Sequence, residues 1–315
     1  MSVTVSVVVP LYNEEAVIGE SYRRLSETMK QSGESYELIF INDGSRDNTW
    51  PMAVELAKKD PCLKLINFSR NFGHQTAITA GMDAASGDAI VVIDADLQDP
   101  PAVILDMIAK WREGWEVVYG RRVKRKGESF FKKITAKLFY RLLNALTDVH
   151  LPNDVGDFRL IDRAVCDALK SLPERNRYVR GLVSWVGFRQ TAVDYVREER
   201  FAGETKYPLR KMLKLAGDAM TSFSYKPLKM SIFIGILAAI SSFVYLIVVV
   251  CQRIFNRIPV TGWATLVCLV LLLNGIVLIM LGIIGQYIGR IYDETKGRPL
   301  YIIGHRVNFE DKEEK

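Results

Sequence analysis

Two long uncharged runs near the end of the chain restrict it more than anything else in the sequence. Residues 230–251 and 258–289 contain no Asp, Glu, Lys or Arg, and each exceeds the ~20 apolar residues a helix needs to cross a bilayer's hydrocarbon. A helix in a soluble core seldom goes that far without a charge, because one face usually meets water. Two membrane-spanning helices over 230–289 are therefore expected. Neither lies near residue 1, so neither is expected to be a cleaved leader. Lys206, Arg210, Lys211, Lys214, Lys226 and Lys229 precede the first run and Arg290, Lys296, Arg298 and Arg306 follow the second, against Arg253 and Arg257 between them. The positive-inside rule then predicts an integral plasma-membrane protein with both ends in the cytoplasm. Gly235, Gly275, Gly282, Gly285 and Gly289 offer small-residue surfaces for self-association of these helices.

The preceding residues read differently. Short β-branched runs at 3–9, 38–41, 63–68, 89–93 and 117–119 alternate with helix-like stretches near 14–31, 47–59, 74–85 and 101–113. Strands this apolar need cover on both faces, which predicts an α/β fold with a mostly parallel sheet. Ligands of such sheets collect beyond the carboxyl ends of the strands. Those ends are polar here: Tyr12-Asn13-Glu14 after the first, Asn42-Asp43-Gly44-Ser45 after the second, Asp94-Ala95-Asp96-Leu97-Gln98-Asp99 after the fourth and Gly120-Arg121-Arg122 after the fifth. Neither GxxxxGK[ST] nor a GxGxxG after the first strand is present, so a P-loop NTPase or an ordinary dinucleotide enzyme is not supported. Cys62, Cys166, Cys251 and Cys268 have no CxxC or metal-finger spacing. Lys plus Arg exceed Asp plus Glu by 42 to 36, a modest excess that suits an anionic membrane or phosphate ligands better than tight nucleic-acid binding.

Asp94 and Asp96 stand two apart at a strand end, on one side of an extended segment, where two carboxylates present hard oxygen ligands to Mg²⁺ or Mn²⁺. Such a cation would neutralise a diphosphate. Taken singly, the other polar ends have plainer readings: a helix N-cap for Asn13 and a turn for Asp43-Gly44-Ser45. Their convergence on one sheet edge favours a site.

In combination and order, the segments VVVPLYNEE, INDGSRDNT, FSRNFGHQTAITAG, VIDADLQDPP, GDFRLIDR and REERFAGETKYPLRKM, followed by the two apolar runs, resemble the family-2 glycosyltransferases of GT-A fold. Within these, the likeness is to polyprenyl-phosphate glycosyltransferases related to dolichol-phosphate mannose synthase, closest to the bacterial bactoprenol glucosyltransferases. The resemblance implies that Pro10, Tyr12, Glu14 and Asp43 hold the nucleotide, with Arg121 also on the nucleotide sugar. It implies that Asp94, Asp96 and Gln98 surround the cation, and that Asp96 and Asp157 are catalytic. Asp157 falls beside the acceptor, after the sheet and before a helical run. A lipid phosphate monoester has a second pKa near ~6 and is largely anionic at neutral pH, so Asp157 is expected to orient the acceptor or help hold the metal rather than act as a strong base. Arg200, Lys206 and Tyr207 are expected to grip the lipid phosphate, and Arg159 either clamps phosphate or pairs with Asp157. His74 falls near the site at a helix start.

The resulting organisation is a cytosolic GT-A domain over 1–207, a juxtamembrane amphipathic helix over 208–229, two spans over 230–289 and a cytosolic tail over 290–315. A second amphipathic stretch runs from Phe130 to Leu146 and is open to either an interfacial or a sheet-covering role. The expected reaction is inverting transfer of a hexose, glucose from UDP-glucose first, to undecaprenyl phosphate. GDP-mannose and UDP-N-acetylhexosamine are the alternative donors. A processive polysaccharide synthase would carry a QxxRW-type motif after Asp157, which is missing. A membrane-anchored sugar-nucleotide receptor without turnover is the rival from another class, and fold alone does not separate the two.

Overall fold

A Val-rich strand whose only hydroxyl is Ser6 has nothing to offer water on either face, and it sits at the sheet centre, buried along its length: β1, Val5–Leu11. The computed structural model describes residues 3–123, 155–175, 177–198, 226–255 and 262–309. After β1 come α1 (Ile18–Ser32), β2 (Tyr36–Asn42), α2 (Thr49–Ala57), β3 (Leu63–Phe68), α3 (His74–Ala84), β4 (Ala89–Val92), α4 (Val103–Arg112) and β5 (Val117–Arg122). Then follow β6 (Val155–Asp162), α5 (Arg163–Ser171), α6 (Val179–Trp185), β7 (Gln190–Tyr195), α7 (Lys226–Ile254), α8 (Trp263–Thr295) and β8 (Ile303–Val307).

The chain divides into two units. The first holds the sheet, whose strand order among the described residues is β7-β5-β6-β4-β1-β2-β3-β8. β4, β1, β2 and β3 run parallel, as the alternation of strands and helices predicts. β6 runs antiparallel between β4 and β5, and β8 lies antiparallel on β3. The core is built from the strand interiors and the inner faces of α1 and α4, with Val7, Val9, Leu25, Met29, Phe40, Ile104, Met107, Phe158 and Leu160 at its centre. Side chains of this size each contribute roughly 1.5–3 kcal/mol on burial.

Two expectations change. The segment containing Asp157 is not beyond the sheet but in it, because Phe158, Leu160 and Ile161 are apolar enough to complete a buried strand. The expected tail starts inside α8 and then contributes an edge strand, so residues 298–309 belong to the first unit.

The second unit contains α7 and α8, which touch each other. Described side chains on both helices are large, apolar and exposed, among them Phe233, Phe243, Leu278 and Ile279. Leu272–Thr295, with a mean hydropathy of 1.9, is long and apolar enough to cross a membrane, whereas the apolar stretch Ile232–Tyr245 is shorter. The expected amphipathic stretch at 130–146 and residues 208–225 of the one expected at 208–229 lie outside the described residues, while 226–229 form the start of α7.

Candidate active site

The parallel strands deliver their carboxyl ends to one edge. Past β1, Tyr12 is 38% exposed, and Asn13 takes up a left-handed φ of 54°. Asn13 N donates to Ser45 Oγ at 2.9 Å and Arg46 N donates to Asn13 Oδ1 at 2.9 Å, so the loops after β1 and β2 are stitched together. Pro10 is buried in β1 opposite Ile41, and Glu14 is held nearby through its N–H on Thr49 Oγ1.

Asp43 is only 3% exposed. Its carboxylate accepts from Phe72 N at 2.6 Å and Gly73 N at 3.0 Å. Burial pushes its pKa up against the pull of those two amides. Its first structural task is thus to hold the loop after β3 against the loop after β2. Gly44 makes the approach possible: at φ 65°, a Cβ there would lie 2.5 Å from the Arg70 and Asn71 backbone.

At the end of β4 the chain alternates. Asp94, Asp96 and Gln98 are half-buried, while Ala95, Leu97 and Asp99 are buried, in a turn that follows the end of β4. Leu97 has a φ of 58°, a costly conformation for a bulky residue that persists only where the surroundings impose it. Gln98 N donates to Asp96 Oδ1 at 3.2 Å.

The antiparallel register of Val92 with Arg159, carried two residues further, brings Asp157 level with Asp94. His74, the first residue of α3, bridges them, with Nε2 3.2 Å from Asp157 Oδ2 and 3.5 Å from Asp94 Oδ1. Arg180 closes the other side of Asp157 with a bidentate pair at 2.7 and 2.9 Å, and Gln75 Nε2 adds a bond at 3.4 Å. Burial opposes ionisation of Asp157, but Arg180 and His74 outweigh it and hold the carboxyl well below the usual range. Burial also works against charging His74, yet the Asp157 bond and the Asp94 and Asp157 charges raise it to about 9. Asp94 is pushed up to about 6, by burial first and against the charge of His74, with Asp157, Asp96 and Asp99 adding to the rise.

Arg121 is not where the sequence places it. A register shift between Tyr119 and Arg121 re-aims the end of β5, and Arg121 lies on the exposed face, paired with Asp194 at 2.6 Å. Its neighbour Arg122 turns inward instead. Its guanidinium reaches Asp99 at 3.3 Å and Tyr195 Oη at 3.1 Å, crossing Gly156, where any Cβ would meet it at 2.6 Å. Arg197 Nε stands 3.7 Å from the same Asp99 and is buried without a hydrogen-bond partner. Two arginines therefore share one buried carboxylate. Arg159 is 4% exposed and donates to the backbone carbonyls of Gly156 and Asp157 rather than to the Asp157 carboxylate. Arg200, Lys206 and Tyr207 lie outside the described residues. With its guanidinium on the exposed face and engaged by Asp194, Arg121 is expected to be dispensable, and Arg121→Ala should change steady-state kinetics less than about twofold.

Among the described residues, no three or more His, Cys, Asp or Glu side chains converge as a ready-made cation cage. Yet Asp94 Oδ1 is buried with no hydrogen-bond partner, beside the carboxylate of Asp96. Mg²⁺ at phosphate sites is commonly held by one or two carboxylates, with phosphate oxygens and water completing the shell. The residues fit a divalent cation brought in with a diphosphate.

A mostly parallel sheet whose carboxyl edge gathers two strand-end aspartates, an interlocked loop pair and inward-turned arginines defines an α/β protein with its candidate ligand site at that edge. Residues 6–170 match glycosyl transferase family 2, and the chain belongs to that family; it is a glycosyltransferase. It is 61% identical to the uncharacterized glycosyltransferase YkcC of Bacillus subtilis (strain 168), over 98% of this chain and 95% of that one. It is 43% identical to an uncharacterized glycosyltransferase, sll0501, of Synechocystis, over 96% and 95%. A prophage-derived bactoprenol glucosyl transferase of Shigella flexneri is 42% identical over 96% of this chain and 99% of its own.

Proposed function

We propose that the protein transfers glucose from UDP-glucose to undecaprenyl phosphate at the cytoplasmic face of the membrane, with inversion and with Mg²⁺ or Mn²⁺ at Asp94, Asp96 and Gln98. One observation carries the reading. Glu198 N donates to Gln98 O at 2.9 Å, so the segment that opens the REERFAGETKYPLRKM stretch resembling the acceptor-phosphate motif is hydrogen-bonded to the turn that carries the strand-end aspartates. The relatives named bactoprenol glucosyl transferase supply the sugar and the lipid. Two spans with both termini cytoplasmic complete the proposal, because a polyprenyl tail keeps its phosphate at headgroup depth and the donor must be presented there.

In this mechanism an acceptor phosphate oxygen forms a bond to the anomeric carbon as the bond from that carbon to the diphosphate oxygen breaks. A bound divalent cation supplies charge stabilisation to the departing diphosphate. Asp157, fully engaged by Arg180, His74 and Gln75, fixes the floor of the site and takes no proton; the acceptor is already anionic and needs none removed. Asp99 orients Arg122, and Arg200, Lys206 and Tyr207 hold the acceptor phosphate.

Purified full-length protein incubated with labelled UDP-glucose, undecaprenyl phosphate and Mg²⁺ or Mn²⁺ is expected to move label into the organic phase. GDP-mannose and UDP-GlcNAc serve as competing donors. Label carried by neither UDP-glucose nor the other two overturns the assignment, and transfer from one of the others alone corrects the donor.

A further inference from the structure

β8 covers the free edge of β3, and what it meets there is the loop framing the nucleotide end of the site. Ile303 pairs with Phe68 and His305 with Asn67, and Ser69 N donates to Ile302 O at 3.0 Å. The Tyr301 ring stacks on Phe68 with centroids 5.2 Å apart and planes 19° from parallel. Phe68 meets Phe72 edge-on at 5.6 Å, and Phe72 N donates to Asp43 Oδ1 at 2.6 Å. Tyr301 Oη is itself fixed by Asp83 of α3 at 2.9 Å. A continuous series of contacts thus runs from the C-terminal strand to Asp43 through residues that lie outside the reacting centre. At the other end of β8, Asn308 Nδ2 donates to the carbonyls of Ala57 and Leu63, each at 2.8 Å, far along β3 from that loop.

We propose that Tyr301 is a positioning residue for donor binding: through Phe68 and Phe72 it sets the 69–73 loop against Asp43 and so fixes the shape of the nucleotide pocket. This rests on the reading of the Asp43 end as the nucleotide end. A strand that served only to cover the edge of β3 would act through Asn308 as much as through Tyr301, and this separates a positioning role from a structural one.

The test uses the full-length protein with UDP-glucose as varied donor and UDP as titrated ligand. Tyr301→Ala is expected to raise KM for UDP-glucose and Kd for UDP together by about two- to tenfold, the worth of an aromatic pair, with kcat within twofold. Tyr301→Phe keeps the ring and restores wild-type values, and Tyr301→Leu reproduces the shift should the alanine variant fail to fold. Asn308→Ala lowers the melting temperature and leaves KM unchanged. An unmoved KM in the Tyr301→Ala and Tyr301→Leu proteins overturns the proposal, as does an equal rise in Asn308→Ala. If Asp96→Asn retains full transfer, it is the donor-site reading that fails; an inactive Asp96→Asn alongside an unmoved KM in Tyr301→Ala rejects this inference alone.

Discussion

Asp96→Asn is expected to lower kcat for transfer by at least about a hundredfold, the scale of removing one preorganised group that meets developing charge, while the protein stays folded. The substitution is isosteric, and Asp96 is half-buried beside open surface, so the melting temperature should stay within about 2 °C of wild type. The same variant should lose its response to added Mg²⁺ or Mn²⁺, because Asp94, whose Oδ1 already faces His74 Nε2 at 3.5 Å, cannot hold a hard dication alone. Chelation of the wild-type protein should reproduce the loss, and re-addition of the cation should reverse it. Asp106→Asn, on the exposed face of α4, is the matched control and should remain active. An Asp96→Asn protein retaining more than a tenth of wild-type transfer would remove the carboxylate from the chemistry.

Arg180→Ala should have the largest effect on stability. It leaves Asp157, 5% exposed, without its bidentate partner. Stranding a buried charge costs ~3–5 kcal/mol; the low end, about 3 kcal/mol, applies because Arg180 keeps 30% of its side-chain surface and His74 remains. The pH dependence follows from the sign of the shift. The folded pKa of Asp157 is depressed, so its contribution is full above the ordinary carboxylate pKa and is lost as pH falls through the folded value. The gap in unfolding free energy between wild type and Arg180→Ala should therefore be widest near neutrality and narrow in acid. His74 acts with opposite sign: raised to about 9, its contribution is complete below the unfolded histidine value and fades as pH rises through 9. Denaturant titrations from pH 3 to 10 measure both edges, and a wild-type-to-variant gap independent of pH would show that the Asp157 charge is not what Arg180 supports.

Much of this site was legible because strand ends and motifs coincide. The apolar runs before Tyr12, Asp43 and Asp94 are fully buried strands, so their carboxyl ends had to lie along one edge. What escaped the sequence depends on pairing across distance. Nothing near Arg180 marks it as the partner of Asp157, since the two meet only because α6 packs beside β6. The inward turn of Arg122 in place of Arg121 follows from a bulge that no local pattern announces. The strand around Asp157 was missed because its buried length looks like any apolar run before a helix. Asp99 with Tyr195 joins residues 96 apart in the chain, and β8 is invisible until β3 is seen to lack a neighbour.

That last strand also orders the events of biosynthesis. Ile303–Val307 follows both long helices in the chain, so a ribosome delivers every other strand of the sheet first. Until α7 and α8 have been made, the row of amides and carbonyls on the outer side of β3 stays open to pairing with another nascent chain. A polypeptide truncated after Thr295 would carry that adhesive edge permanently, and self-association during expression is the outcome it invites.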